Sequence, residues 1–173
     1  HVLFRRQRQM CIRDRVRICK NFEVVIADRD EIPISDGRPM PKDINTINCF
    51  TDGSKTGDRS GAGFLIKGNQ TKMQGSFQLG KYTTVFQAEI MAVSAATERL
   101  LEQKVENKII RIKVDSQSAI RALGQFTIDS SLVLQCKSQL NELGQKNKVT
   151  LQWKPGHQDY KGHEVADRLA KSG

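Results

Sequence analysis

A chain of 173 residues allows one domain and is short for two. Its 38% hydrophobic and 27% charged residues suit a globular core and exclude a disordered tail, and no apolar run approaches the roughly 20 residues of a membrane-spanning helix. The net charge of +9 suits a polyanionic partner, but residues 1–20 hold seven Lys/Arg against one acid and carry +6 of it, leaving the rest mildly basic.

From His1 to Arg15 arginine is scattered without helical or strand periodicity, and leaves no apolar h-region for a signal peptide. Met10-Cys11-Ile12-Arg13-Asp14 resembles the translation of a transposon-end sequencing adapter, so residues 1–15 read as a non-native or disordered leader. The alternative is a basic arm that touches phosphates. Residues 16–46 read as a linker with one candidate strand, Phe22 to Ile26, and three of the four prolines fall in this stretch. Cys11, Cys19, Cys49 and Cys136 form no C-x-x-C pair and no zinc spacing. Reduced thiols fit an intracellular protein, in cytoplasm or nucleus, that is not secreted.

Beyond residue 46 the pattern sharpens. Ile47 to Asp52 and Gly61 to Ile66 read as short buried strands, and Thr71 to Leu79 follows the Gly68-Asn69 turn signal as a third. Tight connections make these three antiparallel neighbours. A helix begins after Thr84, a suitable cap, and runs to about Lys104 with Phe86, Ile90, Val93, Thr97, Leu100 and Leu101 on one face. Lys108 to Asp115 alternates as a half-buried strand. Helices follow at Ser116 to Leu123 and Ser130 to Gly144, the second turning Leu132, Leu134 or Cys136, Leu140 and Leu143 inward. Val149, Leu151 and Trp153 alternate in a fifth strand, and Glu164 to Ser172 is a last helix that stops abruptly, as a truncated element would. The order β-β-β-α-β-α-α-β-α predicts an α/β domain over 47–173: a five-stranded mixed sheet, three antiparallel strands then two parallel, flanked by helices.

Several acids sit where acids are costly. Glu89 falls about 60° from Phe86 on the helix, inside the apolar arc. A carboxylate there needs a partner or a metal unless it snorkels outward. Asp52 and Asp115 each close an apolar strand, where an Asp also serves as turn former or helix N-cap. Asp167 lies in the first turns of the last helix, where an acid also complements the macrodipole. Four carboxylates converging on one sheet end would repel without a cation. Oxygen-only ligands favour Mg²⁺ or Mn²⁺ over zinc, and a pair of such ions suits in-line displacement at phosphorus.

These segments resemble the ribonuclease H family. Cys49-Phe50-Thr51-Asp52-Gly53-Ser54-Lys55 with Gly61-Ala62-Gly63-Phe64 is similar to its first hairpin. Gln87-Ala88-Glu89, Val114-Asp115-Ser116-Gln117 and the closing Gly156-His157 through Gly162-His163-Glu164-Val165-Ala166-Asp167 are similar to its later motifs, in order, across residues 47–173. The spelling most resembles ribonuclease H domains on the C-terminal side of reverse transcriptases in retroelements of the non-LTR type. The resemblance implies a ribonuclease H-like fold and an endonuclease that cuts the RNA strand of RNA–DNA hybrids with two Mg²⁺ ions, Mn²⁺ able to substitute. It implies Asp52, Glu89, Asp115 and Asp167 as metal ligands, His157 as a mobile-loop residue assisting the water or product release, and Ser54 and Gln117 as substrate contacts. Glu164 would tune the metal site, and a reverse transcriptase domain in the parent polyprotein would be the partner.

Three departures bear on substrate contacts. His163 stands where many relatives have Asn. Val85-Phe86 occupies the positions of two substrate-binding Asn residues in the cellular bacterial enzyme. Only six residues separate Leu123 from Ser130, leaving no basic protrusion there. The competing readings are a catalytically inactive nucleic-acid-binding module of the same fold and a related nuclease such as a resolvase or transposase core.

Overall fold

The computed structural model describes residues 20–26, 45–69, 71–126, 128, 130–153 and 161–173. Among them are strands β1 (Phe22–Val25), β2 (Thr46–Thr56), β3 (Arg59–Lys67) and β4 (Lys72–Leu79), helix α1 (Val85–Glu102), strand β5 (Ile109–Val114), helices α2 (Gln117–Gly124) and α3 (Ser131–Gly144), strand β6 (Lys148–Trp153) and helix α4 (Lys161–Ser172). The described strands form one sheet in the order β1-β6-β5-β2-β3-β4. β2, β3 and β4 are antiparallel, while β2–β5, β5–β6 and β1–β6 are parallel. The mixed α/β architecture read from the sequence is therefore present, and the candidate strand at 22–26 joins it as a sixth strand at the edge.

Strand periodicity sorts the side chains onto two faces. Ile47, Cys49, Phe64 and Ile66, with Ile110, Ile112 and Val114 of β5 and Val149 and Leu151 of β6, meet the apolar stripes of α1, α2 and α3 in one large core. Phe50 and Leu65 point to the opposite face and meet Ala166 of α4, which lies across β2, β3 and β4. The helix stripe placed Ile90, Val93, Thr97 and Leu100 inward, and all four are buried.

Two boundaries differ from the sequence expectation. β2 does not end at Asp52 but continues to Thr56, paired with Arg59 across a two-residue turn. Gly57 takes φ 60° there, the left-handed conformation that primed hairpin turns require at their first central position. Helix α4 starts at Lys161 rather than Glu164. Among the described residues no helix is long and apolar enough to cross a membrane.

Candidate metal centre

The site is assembled by three elements that meet at β2. β2 and β5 run parallel with Thr51 opposite Val114, so the next residue of each, Asp52 and Asp115, emerges at the same end of the sheet. Asp52 is therefore no turn former, since its strand runs on. Asp115 is no N-cap either: Ser116 caps α2, its side chain accepting from the Ala119 amide. Instead Trp153 donates Nε1 to the Asp115 carbonyl at 2.9 Å and fixes that backbone from β6.

Glu89 arrives from α1. Thr84 and Gln87 close a capping box that sets the first turn of this helix. The helix then lies directly on β2 at Gly53, where a Cβ would stand 2.4 Å from the Glu89 amide nitrogen. Only a glycine permits that approach, and it carries the Glu89 carboxyl inward: the residue is 4% exposed, Asp52 is 8% exposed, and Asp115 is half-buried. One oxygen from each of Asp52, Glu89 and Asp115 lies within 4.8 Å of the other two.

Burial first and repulsion second favour the neutral forms of Glu89 and Asp52. The Glu89 carboxyl is pushed up to about 10, by burial first and then by the charges of Asp115 and Asp52, against a weaker opposing hydrogen bond from the Gly53 amide. The Asp52 carboxyl is pushed up to about 7, by burial and then by Asp115 and Asp167. Among the described residues Glu89 Oε2 and Asp115 Oδ1 are buried with no hydrogen-bond partner. Buried oxygens are nearly always satisfied, so the arrangement is incomplete as protein alone. A hard divalent cation among three carboxylates would satisfy those oxygens and reverse the repulsion.

Asp167 comes from the opposite face of the sheet. α4 presents Gly162, Ala166 and Ala170 to the sheet, and the facing strand presents Gly61 and Gly63; a Cβ at Gly63 would stand 2.5 Å from the Ala166 carbonyl oxygen. This seam of small residues brings Asp167 close enough to act on Asp52. Asp167 is nevertheless outside the group of three, and its Oδ2 is paired with Lys171 Nζ at 2.8 Å.

Of the other residues singled out in the sequence, Ser54 lies half-buried on β2 opposite Gly61, and Gln117 is the exposed first residue of α2. Glu164 is exposed in the first turn of α4. His157 lies outside the described residues. His163 packs edge-on against Phe50, ring centroids 5.3 Å apart, and Val85 at the start of α1 is exposed. Sequence reasoning missed the glycine seam, whose signal was small residues at i, i+4 and i+8 on the helix and i, i+2 on the strand. It also missed the Thr-x-x-Gln box and Lys171.

Fold and site together define an α/β domain with a carboxylate centre where the antiparallel and parallel halves of its sheet meet. The ribonuclease H family model matches residues 45–173, and the chain belongs to that family. Its fold is similar to that of ribonuclease H1 from the halophilic archaeon Halobacterium salinarum NRC-1, with a TM-score of 0.58, 21% sequence identity, and coverage of 73% of this chain and 96% of that one. No match was found among curated proteins.

Proposed function

We propose that this domain is an endonuclease that hydrolyses the RNA strand of RNA–DNA hybrids through a divalent-metal centre. The observation that carries the reading is the convergence of Asp52, Glu89 and Asp115 from β2, α1 and β5 with buried, unpartnered oxygens on two of them. Membership of the ribonuclease H family supplies the substrate class. Asp52, Glu89 and Asp115 would hold the metal, with Asp167 as a fourth ligand. Two Mg²⁺ ions held there, or Mn²⁺ in their place, would supply activation of the attacking water and charge neutralisation at the leaving oxygen. Ser54, two residues beyond Asp52, and Gln117, two residues beyond Asp115, would contact the hybrid, and His157 would assist from the segment between β6 and α4. The motif spelling, the missing basic protrusion and the modest charge beyond residue 20 support a retroelement origin, in which an attached reverse transcriptase contributes substrate affinity inside the cell.

The test is cleavage of a labelled RNA–DNA hybrid by the whole chain in Mg²⁺ or Mn²⁺, beside RNA–RNA and DNA–DNA duplexes. Cutting confined to the RNA of the hybrid, and lost in Asp115→Asn, is the expected result. A folded sample that binds hybrid and cuts nothing even in Mn²⁺ would overturn the reading in favour of a binding module.

A further inference from the structure

The fourth carboxylate already has a cation of the chain's own. Asp167 and Lys171 lie one turn apart on α4, and the Lys171 ammonium is 2.8 Å from Asp167 Oδ2. Lys171 thus already occupies an oxygen of Asp167 that a metal ion would need. Its side chain is 61% exposed and that of Asp167 47%, so the pair is solvated and readily exchanged. A lysine on a four-carbon stem can swing out by rotation alone.

We infer that Lys171 competes with a divalent ion for Asp167, so that the chain fills the Asp52–Glu89–Asp115 group first and engages Asp167 in a second, weaker step that displaces the ammonium. The inference rests on the metal-centre reading above. It makes Lys171 a positioning residue that sets the interval between two binding steps. An isolated solvated pair of this kind is weak, so the competition is expected to weaken the second step by about two- to fivefold at most. Because the opposing charge is at the surface, the effect should shrink at high salt.

The test is calorimetric titration of the whole chain with Mn²⁺, with bound ions counted by electron paramagnetic resonance, for the unaltered protein, Lys171→Gln, Lys171→Arg and Asp115→Asn. In Lys171→Gln the second step should tighten about two- to fivefold while the first stays unchanged, and Lys171→Arg should behave as the unaltered protein. In the unaltered protein the ¹⁵Nζ resonance of Lys171 should move with the second equivalent of Mg²⁺ and not the first, a readout that needs no variant to fold. A second step that is unchanged or weaker in Lys171→Gln, or an Nζ signal indifferent to the second equivalent, overturns the competition and leaves the metal centre standing. Absence of any ion, or binding indifferent to Asp115→Asn, overturns the metal-centre reading and the competition with it.

Discussion

Without metal, Asp52 and Glu89 keep their protons up to about pH 7 and about pH 10, against ordinary values of 3.8 and 4.5. Over those intervals the folded chain holds protons that the unfolded chain has released. The stability they contribute is complete below about pH 4 and is lost as pH rises through 7 for Asp52 and onward toward 10 for Glu89. The melting temperature of the metal-free protein should therefore fall between pH 5 and pH 9, and saturating Mg²⁺ should flatten that slope, because the cation binds the deprotonated acids. A metal-free melting temperature that rises over the same interval would contradict the arrangement. Asp52→Asn should abolish cleavage, lower metal affinity by more than the ~10–100-fold typical of an outer partner, and leave the metal-free protein as stable as before or more so at pH 8. Unfolding of that variant in calorimetry would make Asp52 a structural residue. These acids were legible because each broke a pattern: Glu89 by helical phase, Asp52 and Asp115 by closing apolar runs. Lys137 was not. It is fully buried, its Nζ donating to the Gln125 carbonyl oxygen, and no spacing announces a stem long enough to reach the end of a neighbouring helix.

At the scale of elements, the order of strands and helices followed from periodicity, but what holds them at their distances did not, because close approach is encoded by absent side chains. Gly53 is the clearest case. Gly53→Ala would set a methyl 2.4 Å from the Glu89 amide nitrogen, so α1 must shift as a body. The expected cost is about 1–3 kcal/mol in urea melts, with metal affinity falling too because Glu89 moves with its helix. Wild-type stability in that variant would mean that the helix has slack. The extension of β2 past Asp52 also escaped the sequence, since Asp52-Gly53 reads as a turn signal and only pairing with β3 carries the strand onward.

Across the whole molecule, β2 is the hinge of the architecture: hairpin strands on one side, parallel strands on the other, and the carboxylates at their meeting point. β1 extends the parallel side. Phe22 is 7% exposed in the main core, and the backbone amide of Asn21 donates to Asn141 Oδ1 of α3 at 2.8 Å. Phe22→Ala should therefore cost about 3 kcal/mol, read as a lower denaturation midpoint with an unchanged metal titration; no loss would make β1 dispensable. The seam under α4 has a different consequence. Glycine and alanine make a close contact but a thin one, with Phe50, Leu65, Ala166 and Ala170 among its buried apolar residues, whereas α1 is anchored in the large core. Amide protons of α4 should therefore exchange with solvent through a local opening well before those of α1. Since Asp167 rides on the element that opens, an ion bound there would latch it. Deuterium uptake in α4 thus becomes a gauge of occupancy, slowing as divalent ion is added while uptake in α1 stays constant.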